Sequence, residues 1–287
     1  MNRRRFLAAG GSVALAGGLA VAAEVTGCSG PGRPQQHANG LRGSQARRAS
    51  PPVQVSGHLI SRYTGASMGW TISTPASGQR PRAIVYCLHA KGGNHRMAFD
   101  SIRVPEVAAS LGIPVAVAAV DGGPDSYWHR RTDGSDALAM LLKEFVPLVR
   151  ARVGHLPQAL MGWSMGGYGA LLAAERASRH FQAVSVASPA LWLTPGATAP
   201  GAFDSPADFY ANDVFTGVDF LRTLTVAVFC GTGDPFYPAT RHLVSLMNFP
   251  HLARFGPGVH GPGYWRRVAP AQLRAICSSE AAPRKMA

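Results

Sequence analysis

The chain has 287 residues, of which 46% are apolar and only 15% charged. That supplies a large core and excludes intrinsic disorder, whose signature is low hydrophobicity with high charge. The net charge of +13 would suit a nucleic-acid partner if it clustered on one helix or face. Residues 1–50 alone hold seven Arg against one Glu, and beyond Arg5 no run of Lys or Arg exceeds two residues, so no nucleic-acid partner is expected.

The first 28 residues read as an export signal with a possible lipobox. Asn2-Arg3-Arg4-Arg5-Phe6-Leu7 is a twin-arginine pattern, and Phe6 to Ala23 follows without a charge. This stretch is mostly Ala and Gly, too weakly apolar for a membrane span. Val25-Thr26-Gly27-Cys28 resembles a lipobox, which would make Cys28 a lipidated mature N-terminus on the outer side of the cytoplasmic membrane. A cut after Ala20-Val21-Ala22 would instead give plain secretion, and an uncleaved anchor is the third possibility. Residues 29–52, rich in Gly, Pro, Ser, Arg and Gln, read as a flexible tether. Residues 53–287 then form one α/β domain. Of the four cysteines, Cys87 and Cys230 lie in apolar runs, where buried thiols are common, and no disulfide framework is expected.

In chain order, Val53–Leu59 and Ser67–Ser73 resemble an antiparallel edge hairpin. Five short apolar runs then read as buried strands: 83–89, 113–120, 158–162, 183–187 and 225–230. Between them, Asp136 to Arg152 spaces Leu138, Leu141, Leu142, Phe145 and Val149 as a helix that Pro147 should kink. Met165–Arg179, Pro238–Met247 and Trp265–Cys277 also read as helices. Strands alternating with helices predict a mostly parallel, doubly wound sheet with helices on both faces. Residues 191–222, broken by Pro, Gly and Asp, read as an insertion over the C-terminal edge of the sheet.

Gly162-Trp163-Ser164-Met165-Gly166-Gly167 joins the strand 158–162 to the helix that opens at Met165. The G-x-S-x-G pattern needs this strand–turn–helix setting, in which the sharp turn exposes the serine hydroxyl and leaves no room for side chains at the glycines. Ser164 is thus the candidate nucleophile. The Met165 N–H, at the helix N-terminus, is a candidate donor to a developing oxyanion. A serine nucleophile needs a base, and the base an orienting acid. Asp234, in Cys230-Gly-Thr-Gly-Asp234-Pro235, follows the strand 225–230. His260 lies in the glycine-rich loop Gly258-Val-His-Gly-Pro-Gly263 before the last helix. Asp213 and Asp219 are weaker competitors because they precede that strand, and His242 and His251 fall in a helix and a turn. The second oxyanion donor should come from His89-Ala90-Lys91-Gly92-Gly93, with the Lys91 N–H favoured and Ala90 the alternative. His89, His95 and Asp100 do not have the spacing of a metal site, and no metal or other cofactor is expected. Trp163, Tyr127, Trp128 and Trp192 either line an acyl pocket or simply pack.

Together these residues resemble the α/β-hydrolase superfamily over roughly residues 80–275, in the esterase branch that includes S-formylglutathione hydrolase (esterase D) and the mycobacterial mycolyltransferases. Asp121-Gly-Gly-Pro-Asp-Ser-Tyr-Trp128, Phe145-Val-Pro147 and Tyr264-Trp265 add to the likeness. The loop reads Leu88-His89-Ala90 where the branch usually has Leu-His-Gly. The resemblance implies the α/β-hydrolase fold and an exported serine carboxylesterase acting on a small-molecule or lipid ester through an acyl-enzyme. A cell-envelope acyltransferase of mycolyltransferase type, or an envelope lipoprotein that keeps only the fold, are the alternatives. Met-Gly-Gly after Ser164, as in plain esterases, tilts against mycolyl transfer.

Overall fold

The computed structural model describes residues 51–76 and 78–277; the residues read as an export signal and most of those read as a tether lie outside them. Eight strands make one sheet: β1 (Val53–Ile60), β2 (Ser67–Thr74), β3 (Ala83–Leu88), β4 (Val115–Val120), β5 (Gln158–Trp163), β6 (Ala183–Ala187), β7 (Thr225–Gly231) and β8 (Leu252–Gly256). Their order is β1-β2-β4-β3-β5-β6-β7-β8. β1 and β2 form the expected hairpin, β2 also runs antiparallel to β4, and the other pairs are parallel.

The alternation of side chains along a strand divides the core in two. Ile84, Tyr86 and Leu88 of β3 point to one face, where α4 (Met165–Arg176) packs, and Val85 and Cys87 point to the other with Trp163 and α7 (Pro262–Cys277). Both faces of β3, β4 and β5 are therefore apolar, which is why these strands read as continuous apolar runs. β8 is missing from the sequence reading for the opposite reason. It is an edge strand of five residues, half-buried, with Arg254 at its centre.

The helices differ from the expected ones mainly at their ends. α6 is Tyr237–Leu246, α7 begins three residues early at Pro262, and α4 stops at Arg176 before a 3₁₀ turn at Ser178–His180. The seven-residue α1 (Val104–Ser110) and six-residue α5 (Pro206–Ala211) are too short to show a helical period. The kink expected at Pro147 is a change of hydrogen bonding instead. α2 (Ala137–Met140), capped by Asp136 accepting from the Ala139 N–H, passes through a π-helical turn at Leu141–Phe145 into α3 (Val146–Val153). Pro147 lacks the N–H that a continuous helix would offer the Lys143 carbonyl, and the widened turn ends just before it.

One buried carboxyl carries a consequence for stability. Glu175 of α4 is 9% exposed and packs so closely on the backbone at Gly217 that a Cβ there would meet its Oε2 at 2.3 Å. Burial pushes its pKa from 4.5 to about 9, against the partial opposition of Arg176. The folded chain thus keeps a proton that the unfolded chain releases, and stability falls as pH rises through the window between those two values. Glu175→Gln keeps the shape without the charge. It should raise the melting temperature at pH 8 by several degrees and change it little at pH 5; thermal melts of both proteins at the two pH values check this.

Candidate active site

β5 ends at Trp163, and α4 begins two residues later at Met165. Ser164 joins them with φ 54° and ψ −120°, a conformation that side-chain-bearing residues rarely adopt. The flanking glycines permit the turn. A Cβ at Gly162 would lie 2.1 Å from the Gly166 carbonyl oxygen, and a Cβ at Gly166 would lie 2.0 Å from that of Leu88. Both obstacles are backbone, which cannot swing aside. Gly166 therefore does more than relieve the turn, because it lets the start of α4 press against the end of β3.

The other two predicted residues come from adjacent strand ends. Asp234 follows β7 and His260 follows β8, and the parallel pairing of these strands aligns their exits. The Thr232 N–H donates to the Gly256 carbonyl (2.8 Å) and the Gly233 N–H to that of Gly258 (2.9 Å), lacing the two loops together. His260 Nδ1 lies 2.9 Å from Asp234 Oδ2, and its Nε2 lies 2.9 Å from Ser164 Oγ. A carboxylate only accepts, so Nδ1 carries the proton and Nε2 is free to accept from the serine hydroxyl. Burial alone would raise the Asp234 pKa. Hydrogen bonds from His260 and from the Phe236 N–H (2.9 Å) help hold it below the ordinary carboxylate range. Asp234 thus stays charged next to a ring that gains a positive charge when it takes a proton.

The competing residues stand elsewhere. Asp213 accepts from the Phe215 N–H, and Asp219 is exposed beside Arg222. His242 lies in α6, and His251 bonds the Phe249 carbonyl. His95 bonds Asp121 and Asp100 pairs with Arg96, so neither joins His89 around a common centre. In the loop after β3, the Ala90 N–H is taken by the Met97 sulfur at 3.4 Å. The Gly92 N–H goes to the Pro124 carbonyl and that of Gly93 to Ala90. Among the described residues, no hydrogen bond occupies the N–H of Lys91 or of Met165.

The four aromatic candidates separate. Trp163 is fully buried on the α7 face, donating to Gln272 Oε1 (3.2 Å), and Trp128 is fully buried against His89. Both are packing residues, too deeply enclosed to meet a substrate. Trp192 is half-buried and reaches the site through Phe236, with ring centres 5.3 Å apart from Trp192 to Phe236 and 5.2 Å from Phe236 to His260. Tyr127 stands behind Trp192 at 5.5 Å. The sequence reading missed Phe236 and gave no role to Trp265, whose ring meets His260 edge-on at 5.1 Å. The Asp234-Pro235-Phe236 spacing carried a signal, since an Asp often accepts from the N–H two residues on. A cavity of about 670 Å³, lined by Gly93, Asn94, Asp121, Asp125, Arg131 and Asp204 among others, does not include Ser164 or His260.

The arrangement can move a proton from a serine hydroxyl to a histidine, and the N–H groups of Met165 and Lys91 are free to donate, which is the equipment of acyl transfer. Residues 61–253 match the family described as "Putative esterase". No curated protein matches the chain. Among solved structures, a ferulic acid esterase superposes with a TM-score of 0.68 at 19% identity, over 79% of this chain and 98% of that one. A fluorophosphonate-binding serine hydrolase of Staphylococcus aureus gives 0.65 at 17% identity over 79% and 99%. An S-formylglutathione hydrolase from Agrobacterium tumefaciens gives 0.66 at 16% identity over 80% and 96%. These likenesses show the α/β-hydrolase fold, and the family match spans more than half of the sequence. The chain belongs to the "Putative esterase" family and is an ester hydrolase.

Proposed function

We propose that the protein is an exported serine carboxylesterase that works through an acyl-enzyme on Ser164. The observation that carries this reading is the unbroken hydrogen-bonded line from Ser164 Oγ through His260 to Asp234. As Ser164 Oγ bonds to the ester carbonyl carbon, its proton passes to His260 Nε2. The carbonyl oxygen, now negative, takes the N–H groups of Met165 and Lys91. The C–O bond to the alcohol then breaks, and the departing oxygen receives the proton from Nε2. Water attacks the acyl-serine by the same route, giving its proton to Nε2, and Ser164 Oγ recovers that proton as the acid leaves. Phe236 and Trp192 offer an apolar wall for the acyl group of a small-molecule or lipid ester. The test is hydrolysis of a short p-nitrophenyl ester, combined with labelling by a fluorophosphonate and mass mapping of the label. Ester turnover with the label on Ser164 is expected; a label on another serine would overturn the reading.

Export rests on the twin-arginine pattern, and attachment to the cell envelope on Val25-Thr26-Gly27-Cys28. Mass spectrometry of membrane-extracted protein should find a diacylglyceryl group on an N-terminal Cys28. A mature N-terminus at Ala23 in the culture fluid would mean plain secretion.

A further inference from the structure

His89, which opens the loop that carries the Lys91 N–H, is buried and makes two short bonds. Its Nδ1 lies 2.9 Å from the Ala90 carbonyl oxygen, and its Nε2 accepts from the Gly122 N–H at 2.9 Å. A carbonyl can only accept and a backbone N–H can only donate, so the ring is in the Nδ1–H tautomer. A second proton on Nε2 would face the Gly122 N–H. Burial lowers the His89 pKa in the same sense, keeping the ring neutral. Trp128 packs on the ring with centres 5.2 Å apart, and a Cβ at Gly122 would strike that indole at 2.6 Å. Gly122 thus remains close to the imidazole because nothing larger fits there.

The bond to Ala90 acts on one particular peptide. The Ala90 carbonyl and the Lys91 N–H belong to the same planar trans unit, in which they point in opposite directions. Holding the carbonyl inward against His89 turns the Lys91 N–H outward, away from the ring. Lys91 is exposed, and its N–H carries no internal hydrogen bond. The Gly93 N–H also reaches the Ala90 oxygen (2.9 Å), but it belongs to the loop it would have to hold. His89 instead links the loop, through Gly122, to the end of β4.

We propose that His89 is a positioning residue for the reaction: acting through the Ala90 carbonyl, it aims the Lys91 N–H at the oxyanion. This rests on the acyl-enzyme reading above. The experiment compares wild type, Ser164→Ala, His89→Phe and His89→Asn on a short p-nitrophenyl ester, each checked for folding by a thermal melt. His89→Phe fills the space without a donor and should lower kcat by about 10²-fold, the effect of one lost oxyanion donor, with KM within about twofold. His89→Asn keeps an N–H near the place of Nδ1 and should recover most of the loss. A folded His89→Phe with the kcat of wild type, equal losses in the Phe and Asn variants, or a change confined to KM would each overturn the proposal. If neither variant folds, ¹⁵N NMR of the His89 ring in wild type decides. The Nδ1–H tautomer at neutral pH is expected, and an Nε2–H ring or an imidazolium overturns it. Full activity in Ser164→Ala would be a different failure, that of the acyl-enzyme itself.

Discussion

Replacing Ser164 by Ala should lower kcat for a short ester by about 10⁶-fold, the scale seen when a serine nucleophile is removed from a working triad. The size follows from the division of labour in the site. Without Oγ no covalent intermediate forms, and His260 Nε2 loses the proton donor 2.9 Å away. The Met165 and Lys91 N–H groups can still polarise a carbonyl, so a residual rate above water should persist. The fold should hardly notice. Ser164 takes its positive φ because Gly162 and Gly166 allow the turn, and alanine adds no atom to it. Its N–H still reaches the Ala187 carbonyl, and its carbonyl still accepts from Tyr168 and Ala190. Steady-state kinetics together with a thermal melt test this, and substantial turnover by a folded Ser164→Ala would remove serine catalysis from the protein.

Asp234→Asn should cost up to ~10⁴ in rate, because the loss acts on the tautomer of the base. The amide can donate to Nδ1, which a carboxylate cannot. The ring then carries its proton on Nε2, facing Ser164 Oγ, and has no lone pair there to take the serine proton. Asp213→Asn and Asp219→Asn should stay within about twofold of wild type, as surface changes away from a site usually do. Asp213 is occupied with the Phe215 N–H, and the Asp219 side chain is 77% exposed beside Arg222. A crippled Asp219→Asn beside a near-normal Asp234→Asn would mean that the segment 191–222 supplies the acid.

Some of this was legible because the constraint is local. Gly162, Ser164 and Gly166 lie within five residues, and their requirement is steric: no Cβ fits at either glycine. Five buried strands were legible for a similarly simple reason, since a strand covered on both faces has few places for polar residues. The order Ser164, Asp234, His260 followed from strand ends that share one edge of the sheet. The segments that escaped were short or half-buried. β8 alternates too little and is too exposed to announce itself, although His260 depends on it. Trp163 and Trp192 look alike in the sequence, yet one is enclosed beneath α7 and the other is joined through Phe236 to His260.

The sequence by itself determined the doubly wound sheet, the strained serine turn and the residues able to serve as base and acid, because pattern and sterics act over a few neighbouring positions. Only the tertiary structure decided which N–H groups in the loop after β3 remain free, which aromatics meet the site and which backbone groups bond the His89 ring. Each of those depends on atoms brought together across the fold: Met97 on the Ala90 N–H, Pro124 on that of Gly92, and Gly122 on the His89 ring. Such contacts are set by how strands and helices pack against one another, and a side chain's hydrogen-bond partners follow from that packing rather than from its neighbours in the chain.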